Sequence, residues 1–185
     1  RCMIRRRLAC CRVCRWLTKR DRGLGLIGAQ AEYRLPTDRE WDVAVGQGKY
    51  PWGEAWPPPA NAGNYAGEEF DNGWSRIEGY KDVYPRTSPV GKFTAHRHGL
   101  FDMSGNVWHW CSDWYTKSMN TADARKEIPA LENDGGGKAF RVLRGASWYN
   151  FLPVVLESRF RNLESPQFRV DIFGFRCVLE EGEFR

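Results

Sequence analysis

Four of the six cysteines lie within the first 14 residues, so thiol chemistry or metal binding is the first function to consider. The six are Cys2, Cys10, Cys11, Cys14, Cys111 and Cys177. Cys11 and Cys14 have the spacing of half a zinc site, but no second pair of Cys or His follows at a useful spacing. Cysteines crowded at one end are not typical of a disulfide-stabilised domain, so a reducing compartment is favoured, with the cytoplasm as the expected location.

The other side chains that could do chemistry do not form a catalytic set. His96 and His98 make a weak ligand pair that is expected in a loop, and Glu68 with Glu69 is typical of a solvated loop. Ser147 follows a predicted strand without a histidine near it in sequence, which favours a role in a turn. The sequence contains neither a nucleophile elbow nor a phosphate-binding loop. We therefore predict no catalytic residues.

The distribution of charge argues against nucleic-acid binding. Residues 1–22 contain nine Lys and Arg against one Asp, whereas the rest of the chain contains 19 Lys and Arg against 22 Asp and Glu. The net charge of +5 therefore comes from the N-terminal end, and the remaining sequence is mildly acidic. No apolar run is long enough to span a membrane, and no apolar signal core follows the basic start.

Two helices are predicted ahead of the region that could carry a binding site. The stretch ACCRVCRWLTKRDRG predicts a helix that ends near Gly23 or Gly25, with Val13, Trp16 and Leu17 as its apolar stripe.

In YRLPTDREW, Thr37 and Glu40 have the spacing of a capping box, which predicts a second helix that Gly46 ends. Its buried side is expected to consist of Trp41, Val43, Ala44 and Val45.

Beyond the second helix the sequence indicates short strands separated by long loops. Residues 50–84 have no lasting periodicity, and their Pro, Gly and Asn imply turns. Residues 87–93 indicate a short strand or a turn, and residues 120–140 indicate a polar loop. Strands are predicted within GLFDMSGNVWHWCSDWY, FRVLRGASW and FGFRCVLE. Two helices with several short strands predict an α+β domain.

Four segments, YRLPTDREW, GLFDMSGNVWHWCSDWY, RVLRGASW and GFRCV, occur in this order. Together they resemble the formylglycine-generating-enzyme/sulfatase-modifying-factor domain family. The resemblance implies a C-type-lectin-like fold of the α+β class, with two helices, short antiparallel strands and long irregular loops. It assigns residues 9–185 to this domain and leaves residues 1–8 as a basic segment, which is expected to be a truncated or atypical start.

The family includes oxidases that convert a substrate cysteine to formylglycine, and it also includes non-catalytic binding proteins. The oxidases hold Cu(I) with two cysteines that follow the Gly-Ser-aromatic motif. Asn150 and Val155 stand at those positions here, and neither can supply a thiolate. The resemblance therefore implies that the chain is not an enzyme. The alternative is a formylglycine-generating oxidase that acts on a cysteine of a sulfatase by another chemistry. Cys111 and Cys177 match structural positions and are expected to be small buried residues.

Calcium is the inorganic partner that the resemblance implies, although no cofactor is expected to be required. One family site corresponds to Asn64, the Tyr65 carbonyl, Glu78 and the Tyr80 carbonyl. A second family site corresponds to Asp102, the carbonyls of Gly105 and Val107, and His109. His109 stands where the family has a carboxylate, and imidazole is a poor calcium ligand, so only the first site is expected to bind the ion.

The C-terminal stretch RGASWYNFLPVVLESRFRNLESPQFRVDIFGFRCV, residues 144–178, also resembles the variable proteins of diversity-generating retroelements. In those proteins, adenine-directed mutagenesis of Asn-rich template codons introduces new residues between fixed scaffold positions. The matching scaffold positions are Arg144, Gly145, Ser147, Trp148, Arg161, Asn162, Pro166, Arg169, Gly174, Phe175, Arg176 and Val178.

The residues between the scaffold positions predict a binding surface for a protein or other macromolecule. Prolines and charged residues interrupt the apolar groups, unlike a core strand, and apolar side chains beside Arg are typical of protein-binding surfaces. The predicted ligand-binding residues are Trp148, Tyr149, Phe151, Leu152, Val154, Val155, Phe160, Leu163, Ser165, Phe168, Val170, Asp171, Ile172 and Phe173. Two alternatives remain: these side chains form the core, or the domain is a structural part of an assembly and has no pocket.

Overall fold

The computed structural model describes residues 9–70, 73, 75–96, 98–116 and 140–182. Its α-helices are α1 (Ala9–Gly23) and α2 (Asp38–Val45), and one 3-10 helix spans Pro153–Leu156. The strands are β1 (Glu32–Arg34), β2 (Trp108–Trp114), β3 (Arg141–Arg144), β4 (Asn162–Glu164), β5 (Phe173–Gly174) and β6 (Val178–Glu180). The fold is α+β with long irregular connections, as predicted. The polar loop predicted at residues 120–140 falls almost wholly outside the described residues.

Helix α1 buries a different face from the one that the sequence predicts. Val13 and Trp16 are exposed, whereas Cys14, Thr18 and Asp21 are buried against β1. Thr18 Oγ1 accepts a hydrogen bond from the Tyr33 amide of β1 at 2.8 Å, so a hydroxyl helps to anchor the helix beside the buried Cys10 and Cys14. The predicted end of the helix at Gly23 is correct.

Helix α2 begins with the predicted capping box. The Thr37 hydroxyl accepts from the Glu40 amide at 3.1 Å, and the Glu40 carboxylate accepts from the Thr37 amide at 2.8 Å. A hydrogen bond with Arg34 lowers the pKa of Glu40 to about 2, so the carboxylate stays charged and can serve the cap. Trp41 is buried as predicted, but Val43 is exposed.

The strands form two small sheets. Strands β1 and β6 form an antiparallel pair, and a four-stranded sheet has the order β4-β3-β2-β5. Strands β2 and β5 run parallel, with Trp108 opposite Phe173, which corrects the expectation of antiparallel strands only. The predicted terminal strand FGFRCVLE is divided: its start completes the larger sheet as β5, and its end crosses to the smaller sheet as β6.

The core lies around β2 and β3, at the centre of the larger sheet. Trp108, His109, Trp110 and Cys111 are all buried, so both faces of β2 are covered although their side chains alternate. Within the described part of the chain, no helix is both long and apolar enough to cross a membrane.

Candidate functional site

The backbone of the C-terminal segment, residues 144–178, is held by a buried arginine. Arg144 is fully buried, and its guanidinium forms ion pairs with Asp42 at 2.8 Å and with Asp38 at 3.3 Å. The same guanidinium donates to the carbonyls of Arg159 and Phe160, both at 2.9 Å. Helix α2 and the middle of the segment are thereby joined through a single side chain.

Three hydrogen bonds between backbone groups fix the segment at other points. The Ala66 amide donates to the Asn150 carbonyl at 3.1 Å, and the Trp108 amide donates to the Ile172 carbonyl at 2.8 Å. The Ser158 amide in turn donates to the Lys49 carbonyl at 2.8 Å. Loop residues outside regular strands are therefore held in fixed positions.

The fourteen predicted ligand-binding residues divide by exposure. Six are exposed: Tyr149, Leu152, Val154, Phe168, Val170 and Asp171. Seven are half-buried: Phe151, Val155, Phe160, Leu163, Ser165, Ile172 and Phe173. Trp148 is buried, at 6% exposure, and packs with Ala66 and Phe70. The segment is therefore partly core, and its solvent-facing members are fewer than the prediction names.

Leu152, one of the exposed residues, borders a groove that the sequence did not reveal. The groove has a volume of about 850 Å³ and is lined by Trp56, Phe70, Arg76, Glu78, Phe151 and Leu152. The rings of Phe70 and Tyr149 meet edge to face, with their centroids 5.5 Å apart. A second cavity, of about 570 Å³, lies beside Tyr50 and Ser104 and contains no residue of the C-terminal segment.

Two charged side chains flank the aromatic residues at this surface. Arg86 lies over the Trp148 ring at 5.7 Å and forms a 3.5 Å ion pair with Asp171, one of the predicted ligand-binding residues. Phe70 and Arg86 were missed because they lie far from the segment in sequence. Only the packing of Phe70 on Trp148 and Tyr149 places it at the site.

Asn150 and Val155 occupy the positions of the copper-binding cysteines. The Asn150 side-chain oxygen accepts from the amide of Ser147 at 2.9 Å and from its hydroxyl at 2.8 Å. Val155 packs against the main hydrophobic core. Ser147 has the role in a turn that the sequence predicts, and the chemistry of these three side chains provides no thiolate for Cu(I).

The predicted calcium ligands lie in a region rich in oxygen atoms. Asn64 is fully buried, and its amide nitrogen donates to the Arg86 carbonyl, whereas its Oδ1 has no hydrogen-bond partner among the described residues. Tyr65 and Tyr80 are buried, but Glu78 is exposed. The Tyr65 and Tyr80 carbonyls accept from the amides of Gly67 and Glu68, both at 2.8 Å, so the unpaired Asn64 oxygen is the feature that suits a hard cation such as Ca²⁺.

Glu69 and Asp82 add two carboxylates to this region, although the sequence suggested a solvated loop for Glu69. Both oxygens of Glu69 accept backbone hydrogen bonds, from Gly67 at 3.2 Å and from Asp82 at 3.1 Å. A Cβ atom on Gly67 would lie 2.6 Å from the Tyr80 carbonyl oxygen and 2.8 Å from Glu69 Oε1, so these oxygens converge on one point. Burial, with the nearby charge of Glu69, raises the pKa of Asp82 to about 7.

The second family calcium position is unsuitable for the ion. His109 is buried, and burial together with the charge of Arg176 lowers its pKa to about 3, so the imidazole is neutral. Burial lowers the pKa of Arg176 and the charge of Asp102 opposes this shift, while the Asp102 carboxylate accepts from the Gly91 amide at 2.6 Å. A fixed cation beside a neutral imidazole disfavours a second cation there.

The zinc hypothesis for Cys11 and Cys14 gains no support. Among the residues that the structure describes, no group of three or more His, Cys, Asp or Glu side chains is placed to hold a metal ion. Cys111 is buried as predicted, but Cys177 is only half-buried.

The fold and these sites define the class of protein. Residues 11–181 match the sulfatase-modifying factor enzyme 1-like domain, so the chain belongs to this family. Its C-type-lectin-like fold is the one that the four ordered segments predict.

The curated relatives include active and inactive proteins. The chain is 31% identical to the formylglycine-generating enzyme of Streptomyces coelicolor, over 78% of this chain and 46% of that enzyme. It is 32% identical to the inactive C-alpha-formylglycine-generating enzyme 2 of Mus musculus, over 80% of this chain and 44% of that protein. The chain thus spans about half the length of these relatives.

The solved structures that are similar to this one include a variable protein and PvdO. Variable protein 1 of Treponema denticola has a TM-score of 0.57 and 25% identity, over 79% of this chain and 47% of that protein. PvdO from Pseudomonas aeruginosa has a TM-score of 0.60 and 25% identity, over 91% of this chain and 57% of that protein. The predicted resemblances, to the sulfatase-modifying-factor domain family and to the variable proteins, are both confirmed.

Proposed function

We propose that the chain is a non-catalytic binding protein that presents a diversified C-terminal surface to a protein partner. The observation that carries this proposal is the exposure of large side chains along one anchored segment. Tyr149, Leu152, Val154, Phe168 and Val170 are 39–54% exposed, while Arg144 and Trp148 of the same segment are buried. Large apolar side chains held in a fixed exposed position are typical of protein-binding surfaces.

The composition of the surface supports a protein as the partner. Tyr149 and Phe168 offer rigid aromatic groups that lose little conformational entropy when they bind. Asp171 and Arg86 supply opposite charges beside them, at 56% and 76% side-chain exposure. A polar and charged rim around apolar anchors is the usual arrangement of protein interfaces. The similarity to variable protein 1 of Treponema denticola supports the same function.

We infer that the chain is non-catalytic from Asn150 and Val155, the two residues at the positions of the copper-binding cysteines. Asn150 is engaged in a turn with Ser147, and Val155 packs on the core. The family also contains an inactive relative. Formation of an aldehyde from a cysteine peptide of a sulfatase, in the presence of Cu(I), would contradict this part of the proposal.

Alanine substitution of exposed residues should separate a binding surface from a core. In a variant with Tyr149, Leu152, Val154 and Phe168 changed to alanine, we expect the chain to stay folded, with each change lowering the free energy of unfolding by about 1 kcal/mol or less. Peptide binders selected by phage display against the wild-type chain should lose at least about tenfold in affinity, because aromatic anchors dominate binding energy. Affinities are measured by biolayer interferometry, and stability by urea denaturation.

A matched control removes the same number of exposed apolar side chains elsewhere. Leu24, Leu26, Val43 and Val90 are 62–86% exposed and lie outside the C-terminal segment. Their alanine variant should keep the affinity of the selected binders. Binders that map equally to both sets would show that the segment is not a preferred surface, and unfolding of the first variant would assign it to the core.

We also propose that Asn64, Tyr65, Glu78 and Tyr80 hold a calcium ion, with Glu78 turning inward from its exposed position to supply the carboxylate. The orphaned Oδ1 of Asn64 supports this proposal. The ion would neutralise the negative charge of Glu69 and Asp82 and would stabilise the loop in which Ala66 packs against Phe70.

Calcium at about 100 times its dissociation constant should stabilise the chain by about 2.7 kcal/mol, whereas magnesium should have little effect. The measurement is the thermal unfolding midpoint in EDTA, Ca²⁺ or Mg²⁺. Glu78→Gln should abolish the calcium effect. If only Glu69→Gln abolishes it, Glu69 and not Glu78 is the carboxylate ligand; no calcium effect in the wild type would overturn the proposal.

A further inference from the structure

An exposed arginine lies against the aromatic cluster of the proposed binding surface, on a loop outside the C-terminal segment. The Arg86 guanidinium lies 5.7 Å from the centroid of the Trp148 ring. The Trp148 ring meets the Tyr149 ring edge to face, with the centroids 5.7 Å apart, and Phe70 packs edge to face on both rings. Because Tyr149 is exposed, a partner that contacts its ring also lies close to the guanidinium.

The loop that carries Arg86 is fixed through its backbone. The Arg86 carbonyl accepts from Asn64 Nδ2 at 2.7 Å. The Ser88 amide donates to Asn106 Oδ1 at 3.0 Å, and the Ser88 carbonyl accepts from Asn106 Nδ2 at 3.2 Å. Asn64, Ser88 and Asn106 are all buried. The Arg86 side chain is therefore presented from a rigid base, so binding of a partner does not have to order this loop.

The Arg86 guanidinium keeps most of its capacity to bind an anion. Among the residues that the structure describes, its one ion-pair partner is Asp171, at 3.5 Å. The two side chains are 76% and 56% exposed, so water competes with the pair and its contribution to stability is small. Arginine presents its N–H donors in a planar fork that matches both oxygens of a carboxylate. A single long contact with Asp171 leaves that fork largely unused.

We propose that Arg86 binds the side-chain carboxylate of an aspartate or glutamate on the protein partner. Asp171, which pairs with the same guanidinium in the free chain, is an internal competitor. This inference rests on the proposed function, because it assigns the chemistry of the partner at the same surface. The partner carboxylate replaces Asp171 on the guanidinium, and a neighbouring apolar group of the partner covers Tyr149. Burial of the new ion pair excludes water, so the new pair is stronger than the exposed pair that it replaces.

The positions of Arg86 and Asp171 in the chain give them different roles. Asp171 lies within the C-terminal segment, between the scaffold residues Arg169 and Gly174, whereas Arg86 lies outside the segment. A substitution at position 171 therefore changes how strongly Arg86 is paired within the chain, but it does not remove the cation. An aspartate at this position restricts binding to carboxylates that can displace it, which makes the surface more selective.

The test uses peptides selected by phage display against the wild-type chain. They are synthesised with amidated C-termini, so that side chains supply the only carboxylates. Peptides are kept if they lose affinity for the variant with Tyr149, Leu152, Val154 and Phe168 changed to alanine. We expect each to need one Asp or Glu, whose change to Asn or Gln lowers the affinity at least about tenfold in biolayer interferometry. In Arg86→Met, the advantage of the acidic peptide over its amide counterpart should disappear.

Two further variants complete the experiment. Arg39→Met is the matched control, because Arg39 is an exposed arginine on α2, and it should keep the wild-type affinity. Asp171→Asn should raise the affinity of the acidic peptides about twofold to fivefold, because the competing carboxylate is lost, and should leave that of the amide counterparts unchanged.

The possible failures are distinguishable. Peptides that need no acidic residue, or equal effects of Arg86→Met and Arg39→Met, would overturn the role of Arg86 while the proposed function stands. An unchanged or lower affinity in Asp171→Asn would overturn the role of Asp171 as a competitor. If no selected peptide loses affinity for the four-alanine variant, the proposed function itself fails, and this inference fails with it.

Discussion

Replacement of Arg144 by methionine should lower the free energy of unfolding by about 3–5 kcal/mol, because the change removes a fully buried partner from Asp42 and leaves the buried Asp38 with Arg161 alone. Asp38 is 5% exposed and lies 3.3 Å from the guanidinium, and Asp42 lies 2.8 Å from it. Burial already raises the pKa of Asp38, and Arg144 is the largest influence that opposes this shift. The measurement is urea denaturation at neutral pH.

The loss of Arg144 should also affect the C-terminal segment. Two backbone carbonyls, those of Arg159 and Phe160, lose their guanidinium donors. Hydrogen exchange should therefore rise in residues 156–164 before the rest of the domain is affected. Arg86→Met is the matched control, since Arg86 is 76% exposed and its ion pair is expected to contribute less than about 1 kcal/mol. Equal effects of the two substitutions would contradict the role assigned to Arg144.

A second large effect is expected for Gly105→Ala, which should destabilise the chain by about 2–5 kcal/mol. Gly105 has a φ of 81°, in the region that disfavours side chains. A Cβ atom there would lie 2.5 Å from the Asn64 carbonyl oxygen and 2.9 Å from the Asn64 amide nitrogen. The loop that carries the predicted calcium ligands would have to move.

Gly25→Ala separates the two causes of this effect. Gly25 also has a positive φ, of 67°, but a Cβ atom there would have no atom within 4 Å. The control should cost about 1–2 kcal/mol, the conformational penalty alone. The difference between the two variants, measured by urea denaturation, reports the clash with Asn64. A Gly105→Ala variant no less stable than Gly25→Ala would show that the loop yields without cost.

Features set by neighbouring residues could be predicted from the sequence. The capping box of α2 needs only Thr37 and Glu40, three residues apart, and both of its hydrogen bonds are present. The alternation of bulky residues predicts β2, and the order of the four segments predicts the family. Local spacing carries this information because the interactions are themselves local.

Features that depend on contacts between distant residues could not be predicted. The side of α1 that is buried depends on β1, so Val13 and Trp16 are exposed although they look like a core stripe. The parallel pairing of β5 with β2 likewise requires the chain to return across the sheet.

The candidate binding site could also be predicted only in part, because its geometry depends on contacts between distant residues. Composition identified the C-terminal segment but not which of its side chains face solvent. Trp148 is buried because Phe70 and Ala66 cover it, and these residues lie about 80 positions earlier in the chain. The Glu69 carboxylate and the Tyr80 carbonyl both lie beside Gly67 through loop packing that no periodicity reveals.

The way in which the C-terminal segment is anchored has a consequence for substitutions within it. Its hydrogen bonds to Ala66, Lys49, Trp108 and Arg144 all use carbonyl or amide groups of the segment's own backbone, at Asn150, Ser158, Ile172 and the Arg159–Phe160 pair. Every residue type except proline carries both of these groups. Substitution at the exposed positions therefore leaves the anchors intact. The backbone path can therefore stay the same while the exposed side chains of the segment differ.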